Sequence, residues 1–329
     1  MPWRRLAVPV TVTISLTTIL VVLITTGDLL TRGLYALSAQ PPGVGTAVIA
    51  PADSKAAIAR DGLGSGREAD AAAYLAAQPT AYWLTPEQDP IGEAGRTVSR
   101  LIDQAQGEDR ALALVIYGLP DRDCGNHSAG GLSEADYPRW TGEIGRALEA
   151  APGLQKIVVL EPDSLALAAE CGDITDRARH LSAAVDRLTS TRTWIYLDGG
   201  HSGWLGVDRM AGLLEGTGLL PRVRGIATNV SNFRSTEDEF RYAHELSARL
   251  GGTHTVIDTS RNGAASAGDQ WCNPSRQTVG APSGTFGDEV VDTNLWIKPP
   301  GESDGACNGG PDAGMWWPEG AVELTRDAR

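Results

Sequence analysis

Lys156-Ile-Val-Val-Leu-Glu-Pro-Asp-Ser164 reads as a strand that runs straight into acidic turn residues. Ile157 to Leu160 are apolar in unbroken succession, as expected of a strand covered on both faces. Pro162 stops it, and Glu161 and Asp163 stand at its C-terminal end. The same design recurs outward in both directions. Upstream, Thr80–Leu84 is a short apolar run, and Leu112–Leu119 leads into Pro120-Asp-Arg-Asp-Cys124. Downstream, Trp194–Leu197 leads into Asp198-Gly-Gly-His201, and Val223–Thr228 into Asn229 and Asn232. His254–Ile257 leads into Asp258-Thr-Ser-Arg-Asn262, and Asn294–Lys298 into Gly301-Glu-Ser-Asp304. Amphipathic stretches near 92–106, 133–151, 174–190, 207–218 and 235–250 predict helices between the strands, with a last one near 318–327. Seven strands mostly separated by helices predict an α/β fold with a parallel sheet and helical crossovers. A barrel and an open doubly wound sheet both fit. No G-x-G-x-x-G follows the first strand and no Walker A sequence occurs, which weakens the nucleotide-binding open sheet.

In such a fold the C-terminal strand ends open on one face, and in barrels that face carries the active site. At least five carboxylates therefore converge there, with Asn, Lys, Arg, Tyr and Trp. One Asp after a strand is explained by a cap or a turn; five in this company call for chemistry. The five histidines (His127, His180, His201, His244, His254) are scattered, without H-E-x-x-H or EF-hand spacing, so no metal and no cofactor are expected. No G-x-S-x-G elbow is present. Acid/base work by carboxylates remains, and its commonest use is glycoside hydrolysis. One carboxyl must stay protonated to donate to the leaving oxygen, and neighbouring carboxylates raise its pKa. Nine Trp stand against three Phe, and Trp83, Trp204 and Trp271, near strand ends, suit stacking on sugar rings. Trp140 and Trp194 read as core, Trp316 and Trp317 as packing for the last helix or else as an extension of the cleft, and Glu237, Asp238 and Glu239 as acidic residues stabilised by a helix N-terminus. The formal net charge of −13 over 329 residues argues against nucleic acid as partner and suits a neutral polymer.

Two features lie outside this pattern. Arg4 and Arg5 precede Leu6–Gly27, twenty-two residues without a charge, which read as a secretory signal or a signal anchor. Length favours the anchor, because about 20 apolar residues span a bilayer core. Either way the body is expected outside the cytoplasm. Four cysteines, Cys124, Cys171, Cys272 and Cys307, form no C-x-x-C pair; an even number in an exported chain suggests two disulfides. Three pairings are open, and the sequential one closes the shortest loops.

Tyr117-Gly-Leu-Pro-Asp-Arg-Asp-Cys124, Glu161-Pro-Asp-Ser-Leu165, Tyr196-Leu-Asp-Gly-Gly-His-Ser202 and Trp296-Ile-Lys-Pro-Pro-Gly-Glu-Ser-Asp-Gly305 resemble glycoside hydrolase family 6, the family of endo-β-1,4-glucanases and cellobiohydrolases. Asn229-Val-Ser-Asn-Phe233, Ile257-Asp-Thr-Ser-Arg-Asn-Gly263 and Trp271-Cys-Asn-Pro274 fit it as well, in order, over roughly residues 80–310. The resemblance implies a distorted parallel (β/α) barrel of about seven strands, TIM-barrel-like, and an inverting hydrolysis of β-1,4-glucan without cofactor. It implies Asp163 as general acid, Asp198 as the neighbour that keeps it protonated, Asp123 as the residue that places the water or relays its proton, and Asp304 as base. Tyr117 would crowd the reacting sugar. Lys298 and Glu302 would hydrogen-bond sugar hydroxyls on the non-reducing side. Trp83 would stack two subsites before the cut, with Trp271 just after it and Trp204 one further on. His201 and Asn232 fall in the matched motifs as substrate-binding residues. The family pattern implies the disulfides Cys124–Cys171 and Cys272–Cys307.

The chain departs from the family's fullest pattern at three places. Ala129 stands where Ser is frequent, Gly199 where Ala is, and Val207 where cellobiohydrolases carry a second Trp. With the compact stretch from Cys272 to Cys307, the last of these favours an open cleft and endo cutting. The resulting expectation is residues 1–39 as signal anchor or signal peptide, 40–56 as a Pro/Gly/Ala-rich tether, and 57–329 as a monomeric catalytic domain. Membrane contact would run through the N-terminal segment if uncleaved. The alternative is a tethered glucan-binding protein with weak or lost catalysis.

Overall fold

The computed structural model describes Val21 and residues 29–125, 130–171, 174–264 and 267–328. The chain divides into two compact units, Met1–Gln40 and Pro41–Arg329. In the first, residues 29–37 are helical. The Leu6–Gly27 run lies, apart from Val21, outside the described residues, and among those no helix is long and apolar enough to cross a membrane.

The second unit opens with residues expected as a tether, and they are packed instead. Val48 and Ile49 are fully buried, and Val48 bridges to Ala111 in parallel. Two helices follow that sequence periodicity did not resolve, α1 (Lys55–Gly62) and α2 (Arg67–Ala76). Their alanine-rich faces give little contrast to read; Ala56, Ala57, Ala71 and Leu75 are buried in one small cluster with Trp296.

The remaining elements alternate as the sequence predicts. They are β1 (Tyr82–Leu84), α3 (Ala94–Gly107), β2 (Leu112–Ile116), α4 (Tyr137–Glu149), β3 (Lys156–Leu160), α5 (Ser164–Cys171), α6 (Ile174–Leu188), β4 (Thr193–Asp198), α7 (Val207–Gly216), β5 (Gly225–Thr228), α8 (Thr236–Arg249), β6 (His254–Asp258), β7 (Val291–Leu295) and α9 (Pro318–Leu324). The seven strands pair in chain order, all parallel, in one sheet curled into a half-barrel. Side chains alternate across it. Leu112, Leu114 and Ile116 face the helical layer with Trp140, Ile144 and Leu181, whereas Ala113 and Val115 join Ile157, Val159, Tyr196, Ala227 and Val256 inside the curl. Both faces are buried, which accounts for the unbroken apolar runs. Truncating Leu114 to Ala, at 0% exposure, should cost roughly 2–5 kcal/mol.

The last strand corrects the sequence expectation by three residues. It is Val291–Leu295, not Asn294–Lys298. Its polar Asp292, Thr293 and Asn294 are buried and hydrogen-bonded, which hides it from a hydrophobicity reading. Past its end the backbone still matters: Ala81 N donates to Trp296 O at 2.8 Å, and Trp83 Nε1 donates to Ile297 O at 2.7 Å. These bonds cross the seam between the first and last strands.

Candidate active site

The C-terminal strand ends carry a run of backbone in the left-handed region. Asp121 (φ 53°), Asp123 (54°), Cys124 (54°), Glu161 (50°), Asp163 (67°), Asn229 (61°) and Ser231 (59°) all adopt it without being glycine. Such strain is tolerated where surrounding contacts over-determine the chain, and it concentrates at functional sites.

After β3 the chain turns at Glu161. Its buried carboxylate accepts from Gly118 N (3.0 and 3.1 Å) and Leu119 N (3.0 Å), bracing the β2 loop. Burial pushes its pKa up to about 7. Sequence placed it among the converging carboxylates, but it faces backbone. Asp258 behaves alike: fully enclosed, it accepts from Ser231, Ser260, Ile297 and Lys298 N–H groups at 2.9–3.2 Å and ties the loops after β5, β6 and β7 together.

Asp163 follows at the start of α5, half-buried. Its backbone N–H donates to Asp198 Oδ2 at 3.0 Å, and Gly200 N donates to the same oxygen at 3.2 Å. Gly200 takes φ 65°, which lets the chain fold back over Asp198. Burial, then the charges of Asp198, Asp123 and Asp304, raise the Asp163 carboxyl well above the usual carboxylate range; Lys298 opposes them. Asp198 is 1% exposed and burial pushes it up to about 7. Three of the carboxylates that the resemblance singles out, Asp198, Asp123 and Asp304, thus lie within electrostatic reach of the fourth, Asp163.

Asp123 accepts the phenolic O–H of Tyr117. Arg122 lies over the Tyr117 ring at 4.3 Å, donates to Tyr117 O at 2.7 Å and pairs with Glu87 at 2.9 Å. Tyr117 in turn meets the Trp83 ring edge-on, centroids 5.3 Å apart. Lys298 Nζ stands 5.1 Å from the Trp83 ring centre and 3.7 Å from Glu302. Burial pulls the Lys298 ammonium below its usual range, against the pull of Glu302 and Asp304.

Asp304 is held rigidly. Arg261, 2% exposed, donates to Oδ1 at 2.8 Å, and Asn273 N donates to Oδ2 at 3.0 Å. Arg261 and Asn273 lie within the family-like motifs, yet the sequence gives them no role of their own, because each contacts another side chain. Asn273 also donates to Ser303 Oγ, Gly305 O and Cys307 O, next to the Cys272–Cys307 disulfide. Among the described residues no cysteine is free; for the expected Cys124–Cys171 pair, the Cys171 side chain lies outside them, as do Ala129 and its loop.

The β4 and β5 loops supply the rest. His201 is buried and its pKa is pushed down to about 4 by that burial, so it is neutral. Its Nδ1 accepts from Gly203 N at 3.2 Å, which leaves the proton on Nε2. Trp204 packs beside it, centroids 5.7 Å apart. Asn232 is half-buried and donates to Val230 O at 3.0 Å. Trp271 is 43% exposed, a large apolar surface facing solvent. Trp140 is fully buried, as read from sequence. Glu239 stands in the first turn of α8, as read from sequence, and is also fully buried, accepting from Ser202 N at 2.8 Å.

A family model described as glycosyl hydrolases family 6 matches residues 46–328. Endoglucanase A of Cellulomonas fimi is 42% identical over 256 residues, covering 78% of this chain and 56% of the relative. Endoglucanase 1 of Streptomyces sp. (strain KSM-9) is 38% identical over 282 residues, covering 83% and 73%. The chain spans just over half the length of the Cellulomonas fimi and Thermobispora bispora relatives, 56% of each. A cellobiohydrolase, the 1,4-beta-D-glucan cellobiohydrolase CEL6B of Podospora anserina, is 33% identical over 301 residues, covering 76% and 72%. Among solved structures, the endoglucanase Cel6 from Mycobacterium tuberculosis, in complex with methyl-cellobiosyl-4-deoxy-4-thio-β-D-cellobioside, superposes with a TM-score of 0.78 at 36% identity, covering 87% of this chain and 98% of that one.

Proposed function

The chain belongs to glycosyl hydrolase family 6, and on that premise we propose that it cuts β-1,4-glucosidic bonds within cellulose or a related β-glucan, with inversion, using Asp163 as general acid. The observation that carries this reading is the environment of Asp163. Burial and three neighbouring carboxylates raise this carboxyl well above the usual range, which favours the protonated form that a general acid needs.

Protonated Asp163 donates to the glycosidic oxygen as the C1–O bond breaks, and positive charge develops on the sugar. Asp304, fixed in place by Arg261, stabilises that charge. A water attacks C1 from the opposite face, and its proton leaves toward Asp123, which Tyr117 orients. The Arg261 and Asn273 contacts engage both Asp304 oxygens, so we assign Asp304 to charge stabilisation ahead of the base role expected from the resemblance. Trp83, Lys298 and Glu302 hold the non-reducing side, and Trp271 and Trp204 the reducing side. The mode is endo: the exposed Trp271 and the short Cys272–Cys307 stretch support an open cleft. The disulfide supports work outside the cytoplasm. The glucan-binding alternative gains nothing from the relatives, whose names are those of glucanases and cellobiohydrolases.

The test is incubation of the full chain with carboxymethyl-cellulose and cellopentaose, with viscosity, product length and product anomer followed, beside Asp163→Asn. A rapid viscosity fall with α-anomeric products, reduced at least 100-fold in the variant, is expected. Saturable binding of cello-oligosaccharides by both forms, with no turnover by either, would overturn the reading.

A further inference from the structure

We propose that the cleft extends one glucosyl unit beyond Trp83 toward the non-reducing end, in a subsite formed by Lys55 and Trp316. This rests on the glucanase reading above. Lys55 lies in the segment that sequence reading assigned to a tether. The structure places it on the first turn of α1, where Ser54 caps the helix by accepting from Ala57 N at 3.2 Å. From there its Nζ reaches 3.3 Å from Glu302 Oε1, while Lys298 Nζ stands 3.7 Å from Oε2 on the same carboxylate.

The charges are linked pairwise. Lys298 acts on Asp163, Glu302 sits between the two lysines, and Lys55 is the outermost member. A recess opens along that end, lined by Lys55, Tyr82, Trp83, Gln88, Glu302 and Trp316. Its floor has room for about one water, so a pyranose lies across its mouth rather than inside it. The lining suits a sugar: aromatic carbon for the ring faces, with an ammonium, a carboxylate and an amide for equatorial hydroxyls. Lys55 is 30% exposed and thus retains surface for a ligand while paired to Glu302.

Cellopentaose can bind in two productive registers. One places three sugars before the cut and yields labelled cellotriose in H2(18)O; the other places two before it and yields labelled cellobiose, because water adds to C1 of the non-reducing-side product. The label ratio does not depend on the fraction of active enzyme. The wild-type chain should place at least three-quarters of the label in cellotriose, on the order of a several-fold register preference. Lys55→Ala should lower the cellotriose-to-cellobiose label ratio at least threefold, and Lys55→Arg should restore most of it. Label mainly in cellobiose for the wild type, or an unchanged ratio in Lys55→Ala, overturns the subsite while leaving the hydrolase reading intact. Absence of any cleavage of cellopentaose and carboxymethyl-cellulose overturns the hydrolase reading and the subsite with it.

Discussion

The carboxylate of Asp198 accepts the backbone N–H of Asp163 at 3.0 Å. One residue thereby fixes the position of the other and, through its charge, raises the other's affinity for a proton. Two consequences can be separated by substitution. Asp198→Asn keeps an oxygen that can accept the N–H but removes the charge. The pKa of Asp163 should fall, so the alkaline limb of the pH–rate profile should move to lower pH, by about one unit, with kcat reduced about 10–100-fold. An alkaline limb that stays in place would show that burial alone sets it.

The buried carboxylates also predict how stability responds to pH. Glu161, Asp198 and Glu239 are each pushed up to about 7 by burial. Between the ordinary value and 7 the folded chain binds more protons than the unfolded chain, so stability is lost as pH rises through that window. Melting temperature should therefore be higher at pH 5 than at pH 8. Glu239→Gln removes one contribution without opening a cavity and should flatten the slope, by up to about 3 kcal/mol at pH 8. Equal melting temperatures at the two pH values would contradict the sign.

Arg261 and Asp304 form an ion pair whose side chains are 2% and 6% exposed. Arg261→Met leaves a buried carboxylate without its partner and should cost about 3–5 kcal/mol in denaturant unfolding. The double variant Arg261→Met, Asp304→Asn should recover part of that loss while remaining inactive on soluble glucan. No recovery would mean that the loss comes from packing against Phe233, which Arg261 overlies at 4.2 Å.

The Cys272–Cys307 bond, 35 residues apart in sequence, closes the loop that contains Asn273 and ends beside Asp304. Cys272→Ser with Cys307→Ser should lower stability by about 4 kcal/mol through the freed unfolded chain. It should also lower kcat at a temperature where the variant is still folded, because Asn273 loses its fixed position. Unchanged kcat under those conditions would confine the bond to a stability role.

How legible the molecule was depends on what each residue does. Strands such as Lys156–Leu160 were read to the residue, because burial on both faces writes an uninterrupted apolar run. Val291–Leu295 was displaced, because its buried Asp292 and Asn294 obtain their partners from distant chain: Tyr196 and Arg224 for one, Thr259 and the 281–286 loop for the other. The acidic strand ends were visible as a cluster, yet Glu161 and Asp258 differ from Asp163 only in what faces them, which the sequence does not record. Lys55 was missed for a similar reason. A lysine at a helix start looks solvated until folding brings Glu302, 247 positions away, to 3.3 Å.

Chain order and sheet order coincide from β1 to β7. Neighbouring loops along the chain are therefore neighbours across the rim, and the map from sequence to cleft is linear except at the seam. There the earliest and latest parts of the chain share one wall, with Lys55 and Trp83 set against Lys298 and Glu302. Loops between β4 and β6 lie on the part of the rim away from that seam. The opposite half is built from both extremities of the domain. The two ends of a glucan bound as proposed would thus draw on different parts of the chain: one on consecutive loops, the other on both extremities of the domain.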